Sequence, residues 1–442
     1  MSAELRPDEA DAKPRVIDAA AAAFWASAVG VILWTLPIVN LGGGGFITID
    51  LREIAMFGTV FGALILVAWR GKLALPRERE LWVIFALFIW AGFSMFWARW
   101  DGETIKGLIR FAGWIGFGLV VVLSMRDDRY RKRWVWVLGA AAVVILIRVS
   151  AAYMRASAMG PEGWEGMWNQ AIAFTRYAET ALPFMVYFAL KGNSRQRLSG
   201  IIGIIVCLAI VIMLRRRGSL VVVGLMLPLL ALMLRRLRGR ESLWILGVLV
   251  AMGIGIAFQY PTYARRFRDM GDLYRNMLLA DASSEMVRLH ITLTMVDLAR
   301  ENPWLGIGWE NFKNTYMQRN HVDEPAFAHY LLFRYQVELG VVGTLLGVIW
   351  VVLTVRRVDI ARRRAGEAID RADRAASAPG TRLREVYLFA CAAELATMAW
   401  FINRALLQSQ AEYRWDLWVI LGLNIASWYA VKGVLNGENE VD

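Results

Sequence analysis

The sequence predicts an all-α polytopic membrane protein of about twelve transmembrane helices with a helical loop on the side opposite the cytoplasm. Three observations favour this class. Of the 442 residues, 57% are hydrophobic, and the mean hydropathy is +0.43, which is too apolar for a soluble domain of this length. Long apolar runs alternate with short clusters of Lys and Arg. The polar stretch 260–328 is the single long loop expected on the side opposite the cytoplasm, and it contains a helical pattern.

Twelve apolar runs are long enough to cross a bilayer, for which a helix needs about 20 residues. The predicted spans are residues 17–39, 53–69, 80–98, 107–125, 134–155, 170–190, 198–214, 219–234, 242–259, 330–355, 385–407 and 415–434. We therefore expect three parts. Segment 1–259 holds the first nine spans, segment 260–328 is an external loop domain, and segment 329–442 holds the last three spans.

The positions of the basic residues predict the orientation, because cytoplasmic loops carry an excess of Lys and Arg. With both termini in the cytoplasm, the basic clusters 126–133 and 235–240 and the loop 356–384 all lie inside. The net charge of +12 is thus explained by topology, and no nucleic-acid partner is expected. Basic residues left outside concentrate at 215–217 and in the loop 260–328, where anion binding is the leading explanation.

Two groups of external arginines are candidate phosphate ligands, since a guanidinium fork can bind phosphate bidentately. Membrane anchoring, or a plain basic surface, is the structural alternative for both. The first group lies between the seventh and eighth spans and the second in the external loop; together they are Arg215, Arg216, Arg217, Arg265, Arg266, Arg268 and Arg288.

The three histidines, His290, His321 and His329, all lie in the external loop or at its end. A neutral imidazole can accept a proton near neutral pH, which an arginine cannot do. His329, where the loop re-enters the membrane, is the strongest candidate for a general base. A structural histidine at the membrane interface is the alternative.

The external loop should contain a helix over residues 284–300, with Met286, Leu289, Leu293 and Val296 on its apolar face and Pro303 ending it. Two charged pairs, Arg176–Glu179 and Arg334–Glu338, fall inside predicted spans at helical spacing. Each is a neutralised structural pair or the lining of a polar cavity.

Metal and nucleotide cofactors are not expected. The acidic residues of the loop include no Asp-x-Asp pair, although His321, Asp323 and Glu324 could converge by folding. The chain has no Gly-rich phosphate loop. Cys207 and Cys391 lie in apolar runs without metal-ligand spacing, so we expect both in the core.

Three motifs resemble those of the O-antigen ligase and polymerase superfamily over roughly residues 165–345. Residues 302–312, Asn-Pro-Trp-Leu-Gly-Ile-Gly-Trp-Glu-Asn-Phe, are similar to its "PllGvGxxxF" signature. His-Tyr-Leu-Leu at 329–332 with Glu-Leu-Gly-Val-Val-Gly at 338–343 resembles "HNxxL…ExGxxG", and Arg217-Gly218-Ser219 resembles "SRG". Tyr330 stands where Asn is common, and Arg216 where Ser is usual.

The resemblance implies a C-type, inverting, metal-independent glycosyltransferase of the bacterial inner membrane with its active site facing the periplasm. The length and the single, late external loop favour the O-antigen ligase over the polymerase. The donor would be O-antigen linked to undecaprenyl diphosphate and the acceptor a sugar of lipid A-core. His329 would be the general base, and Arg217 and Arg288, assisted by Arg265 and its neighbours, would hold the diphosphate.

Two alternatives stay open at this point. An O-antigen polymerase, or a ligase with another acceptor, would carry the same motifs. A flippase or other transporter of lipid-linked saccharides also suits twelve spans, but the halves show no convincing inverted duplication, and the histidines concentrate on one side.

Overall fold

A computed structural model gives the fold of most of the chain. For parts of some helices it describes the backbone alone. The described residues are 19–35, 57–58, 60–65, 78–125, 128–159, 161–191, 193–213, 217–234, 247, 284–322, 330–374, 380–407 and 415–436. All regular structure in these ranges is helical, which confirms the predicted all-α class.

Twelve α-helices lie in the described ranges, and we number them in chain order. They are α1 (Ala19–Thr35), α2 (Arg79–Phe93), α3 (Asp101–Met125), α4 (Asp128–Met159), α5 (Pro161–Lys191), α6 (Ser194–Met213), α7 (Arg217–Leu234), α8 (Ser284–Glu301), α9 (Phe312–Asn320), α10 (Leu331–Arg374), α11 (Thr381–Leu407) and α12 (Trp415–Leu435). A 3-10 turn, Ser94–Phe96, extends α2.

Seven of these helices are long and apolar enough to cross a membrane. The candidate spans are Arg79–Phe96, Asp101–Met125, Arg129–Ala151, Ser194–Met213, Leu331–Arg374, Thr381–Ile402 and Leu417–Leu435. Helices α1 to α7 and α10 to α12 all overlap predicted spans. The predicted spans 53–69 and 242–259 lie mostly outside the described residues. The architecture is that of a polytopic membrane protein.

Helices α5 and α11 lie at the centre of the bundle. Residues 175–188 of α5 and 386–397 of α11 are buried on every face, as expected of a helix that contacts neighbours all round. Cys207 and Cys391 are buried, free cysteines, as predicted. Arg176 and Glu179 of α5 are also buried, and their mutual pairing stays a prediction.

Polar contacts tie the helices together at one end of the bundle, which we call the basic end. They are the ion pairs Arg357–Glu80 and Lys132–Glu385 and the hydrogen bonds from the hydroxyls of Tyr429 to Glu78 and of Tyr387 to the Met233 carbonyl. At the other end of α2, Trp90 donates its indole N–H to the Leu339 carbonyl. Leu339 and Arg357 are separated by about 27 Å along α10, close to the thickness of a hydrocarbon core.

Helix α10 is longer than a single membrane crossing requires, and it continues as far as Arg374. The charged stretch from residue 356 to Arg374 is therefore helical, and it is not exposed on every face. Val358, Ala361, Ala365 and Ile369 are fully buried on one face. The small side chains let this extension pack closely on the bundle.

Candidate functional site

The loop between α8 and α9, residues 302–311, is the motif loop, and it packs on a broken turn of α10. Gly340 has φ 67° and ψ −162°, which interrupts the helix. The carbonyl groups just before such a break lose their helical donors and need others. They receive them from outside the helix: Ile307 N–H donates to Val337 O (2.9 Å) and Gly308 N–H to Glu338 O (2.9 Å).

Pro303 adds hydrogen bonds in which the motif loop is the acceptor and α10 the donor. Its carbonyl oxygen accepts the Val341 N–H at 3.0 Å and the Gln336 side-chain amide at 2.9 Å. Gly306 lies so near α10 that a Cβ there would be 2.5 Å from Glu338 O. The two glycines of the motif loop and the "ExGxxG" motif of α10 are distant in sequence but thus form one hydrogen-bonded unit. We call the end of the bundle at which this unit lies the motif end.

A buried ion cluster, formed by Arg334, Glu338 and Glu310, lies beneath this unit. Arg334 donates from Nε to Glu338 Oε2 at 3.0 Å and from Nη2 to Glu310 Oε1 at 2.8 Å. Its guanidinium carbon lies 4.7 Å from the ring centroid of Trp309. The predicted pairing of Arg334 with Glu338 is confirmed. The contribution of Glu310, from the motif loop, was not predicted.

Asn311 fastens the motif loop to the start of α3. Its Oδ1 accepts the Trp100 N–H (2.8 Å), and its Nδ2 donates to Thr104 Oγ1 (2.8 Å) and to the Trp309 carbonyl (2.9 Å). The Trp309 N–H donates to Ser94 Oγ at 2.9 Å. Sequence reasoning missed Ser94 and Thr104, because nothing local distinguishes two small hydroxyl residues in an apolar region. Only their contacts about 200 residues away reveal them.

Helix α8 forms where the sequence predicts it, but its predicted apolar face is wrong. Leu289 is 39% and Leu293 54% exposed, whereas Ile291, Met295 and Leu298 are buried. The buried face packs with Phe312, Tyr316 and Val337. Contact with α9 and α10 therefore selects a helix face two positions along the chain, which lies nearly opposite the expected one.

Two of the three histidines have structural contacts at the motif end. His290 Nε2 lies 3.0 Å from Asn320 Oδ1, and its ring meets that of Tyr316 edge-on. Burial raises the pKa of Tyr316 above its ordinary value. His321 ends α9 in the left-handed conformation, with φ 52°. His329 lies outside the described residues, directly before Tyr330, which has φ 69°.

The arginines that were predicted to bind phosphate lie in parts of the chain where no side chains are described. Arg217 begins α7 and Arg288 lies in the second turn of α8, but only their backbones are described. The others, Arg215, Arg216, Arg265, Arg266 and Arg268, lie outside the described residues.

The direction of α7 locates the backbone of Arg217 along the bundle. The Met233 carbonyl, near the last turn, accepts the Tyr387 hydroxyl at the basic end. Arg217, the first residue of α7, lies about 24 Å from Met233 along the helix axis. Helix α7 therefore starts near the end of the bundle at which α10 also starts. The starts of α7 and α10 thus face the same side of the bundle.

The fold and the interlocked motif loop define a polytopic membrane protein in which a helix–loop–helix unit, α8 to α9, packs on the broken turn of α10. Residues 202–348 match the model of the O-antigen ligase family. This match confirms, for residues 202–348, the family resemblance predicted from the motifs. The match ends near the expected limit of 345 but begins at 202 rather than about 165. The comparison with curated proteins gave no match.

The matched family comprises O-antigen ligases and polymerases, which are glycosyltransferase-like enzymes. Their substrates are polysaccharides and lipid-linked saccharides in general. All three motifs lie within the matched segment, which runs from α6 to the broken part of α10.

Proposed function

We propose that the protein transfers O-antigen polysaccharide from undecaprenyl diphosphate to a sugar of lipid A-core. Transfer takes place at the periplasmic face of the bacterial inner membrane, in one displacement that inverts the anomeric centre. The observation that carries this proposal is the hydrogen-bonded unit of the motif loop and α10. It brings the first turn of α10, which follows His329, against α8, the helix that bears Arg288.

The proposed reaction needs a base and a cationic site. His329 takes the proton of the acceptor hydroxyl while the hydroxyl oxygen attacks the anomeric carbon. The bond from that carbon to the phosphate oxygen breaks, and undecaprenyl diphosphate leaves as an anion. Arg217 and Arg288 stabilise the charge of the leaving group, with Arg215, Arg216, Arg265, Arg266 and Arg268 assisting. In this mechanism the arginines neutralise the leaving diphosphate, which a metal ion does in many transferases with diphosphate-linked donors.

The topology we propose has twelve spans, with both termini in the cytoplasm and 260–328 as the periplasmic loop. Its support is the distribution of charge along α10. The segment after residue 355 carries seven arginines and lies at the basic end, whereas the motif loop contacts the opposite end. Since basic segments stay in the cytoplasm, the motif end faces the periplasm.

Purified full-length protein in lipid nanodiscs tests the activity directly. Undecaprenyl-diphosphate-linked O-antigen and lipid A-core are supplied in excess EDTA, and the extended lipopolysaccharide is followed on gels. We expect transfer to continue in EDTA. His329→Ala, Arg217→Ala and Arg288→Ala should each lower kcat by about 100-fold or more.

Matched controls separate chemistry from general damage. Arg300→Ala removes an exposed arginine from the last turn of α8, and His321→Asn changes a histidine at a left-handed position that Asn tolerates. Both should retain activity near that of the wild type. Loss of transfer on chelation would refute the metal-free mechanism.

A second set of reactions distinguishes the ligase from its relatives. Lipid A-core is replaced by a second lipid-linked repeat as the acceptor. A polymerase would then produce longer lipid-linked chains. A transporter would give no glycosidic product with either acceptor and would instead move donor between the leaflets of a vesicle. Transfer to lipid A-core with little chain extension is the expected result.

A further inference from the structure

A cleft of about 640 Å³ lies between the motif loop, the turn that follows α2, and helices α8 and α9. This volume is within the range of about 300 to 1,000 Å³ that is usual for small-molecule sites. The cleft lies outside the ion cluster and contains none of the proposed catalytic residues. Its lining combines aromatic surface with polar side chains.

Two tryptophans supply the aromatic surface. Trp304, in the motif loop, is 72% exposed. Trp97 is fixed in place because its indole N–H donates to the Leu305 carbonyl at 3.1 Å. Large exposed aromatic rings beside polar groups are typical of binding surfaces. The apolar C–H face of a sugar ring packs well on an indole.

The polar part of the cleft contains unused hydrogen-bonding groups. Arg99, Thr315 and Gln318 line it, and within the described part of the chain their side chains make no hydrogen bond or ion pair. A hydroxyl and an amide each donate and accept. Sugar hydroxyls also do both, so these groups match a saccharide chemically.

The charges in the cleft do not suit a phosphate. Arg319 donates to both carboxylate oxygens of Glu301 at 2.8 Å and lies 3.9 Å from Asp297. This guanidinium is already neutralised, which leaves Arg99 as the one cation of the lining that forms no ion pair within the described residues, whereas a diphosphate site needs several uncompensated cations. A neutral oligosaccharide fits the cleft better than the charged end of the donor.

The cleft also lies near the first turns of α10, the helix that follows His329 in the chain. Leu305, Gly306 and Ile307 line it, and Ile307 is hydrogen-bonded to α10 through the Val337 carbonyl. A saccharide in the cleft is therefore separated from the first turns of α10 by the thickness of the motif loop. We propose that this cleft binds the saccharide chain of a substrate, beyond the sugar that reacts. The inference rests on the proposed function.

A binding experiment tests the cleft without requiring catalysis. Full-length protein in detergent is titrated by equilibrium dialysis with two probes, the core oligosaccharide released from lipopolysaccharide by mild acid and O-antigen polysaccharide freed of its lipid. We expect one of them to bind wild type. Trp304→Ala and Gln318→Ala should weaken that binding about tenfold, whereas Trp304→Phe, which keeps an aromatic face, should retain most of it.

Trp82→Ala is the matched control, because Trp82 is a 54% exposed tryptophan on α2 outside the cleft. It should bind like wild type. Equal binding by wild type and Trp304→Ala would overturn the proposal, and so would no binding of either probe. Equal weakening by Trp82→Ala would also overturn it, since exposed tryptophans would then act as membrane-interface anchors.

Steady-state kinetics identify the substrate whose saccharide is bound. In Trp304→Ala the KM of either the acceptor or the donor should rise about tenfold, with kcat nearly unchanged. A lower kcat with both KM values unchanged would contradict a binding role. If the wild type transfers no sugar, the proposed function fails, and the dialysis result still decides whether the cleft binds saccharide.

Discussion

Gly340 lies against the carbonyl group of Trp304, so that a Cβ atom at position 340 would be 2.1 Å from the Trp304 oxygen. The two residues belong to different motifs of the segment that matches the O-antigen ligase family. Their contact is possible only because one has no side chain and adopts angles, φ 67° and ψ −162°, that are almost restricted to glycine. The broken helix and the motif loop therefore depend on each other.

Gly340→Ala should destabilise this contact strongly. The added methyl group overlaps backbone atoms of Trp304, and the required angles are strained for alanine. We expect a loss of about 2 to 5 kcal/mol in stability, seen as a lower Tm in detergent by scanning fluorimetry. Transfer activity should fall as well, because α10 and the motif loop would separate.

Gly92→Ala is the control for this substitution. Gly92 lies in α2, and a Cβ there meets nothing within 4 Å, so alanine should be neutral or slightly stabilising in the helix. An unchanged Tm for Gly340→Ala would show that the motif loop does not hold α10 in the broken conformation.

Arg334→Met should be among the most damaging substitutions at the motif end. It leaves the carboxylates of Glu338 and Glu310 facing each other without their shared cation, and the side chain of Glu338 is only 2% exposed. Removal of one member of a buried ion pair costs about 3 to 5 kcal/mol. The measurement is thermal unfolding in detergent.

The triple variant Arg334→Met, Glu338→Gln, Glu310→Gln should recover part of that stability, because no uncompensated charge remains. Arg319→Ala is the control, since Arg319 and Glu301 also form an ion pair but are 37% and 52% exposed. It should change stability by no more than about 1 kcal/mol. A comparable loss in Arg319→Ala would contradict a special role for burial.

Much of the fold was predictable because membrane spans have a strong local signal. Length and hydropathy located the helices of membrane length, and i,i+4 spacing predicted the Arg334–Glu338 pair. The motifs were found because they are short, local patterns. The family match at residues 202–348 confirms the family resemblance that these motifs indicated.

The tertiary contacts of the site could not be predicted in the same way. Glu310 joins the ion cluster because residue 310 adopts φ 60° and the motif loop folds back on α10, neither of which is encoded in local periodicity. The face of α8 was also misassigned. Leucines at helical spacing predict an apolar stripe, but the neighbours α9 and α10 determine which stripe is buried.

Asn311→Asp should loosen the motif loop from α3. The Asn311 amide donates to Thr104 Oγ1 and to the Trp309 carbonyl, and a carboxylate in this fully buried position can donate to neither. We expect a loss of about 2 to 3 kcal/mol, measured by thermal unfolding. Asn314→Asp makes the same change in α9 at a half-buried position and should be nearly neutral. Equal effects of the two substitutions would show that the amide hydrogen bonds are unimportant.

Cysteine labelling tests the proposed orientation of the bundle. The native Cys207 and Cys391, both buried, are first replaced by alanine. Arg300→Cys and Arg371→Cys are then made separately, because both arginines are exposed but lie on α8 at the motif end and on α10 at the basic end. In intact spheroplasts a membrane-impermeant maleimide should label residue 300 and leave residue 371 unlabelled. After lysis both should react. The reverse pattern would place the motif loop in the cytoplasm, where the proposed periplasmic transfer could not occur. Labelling of both residues in intact spheroplasts would mean that the basic end is not cytoplasmic.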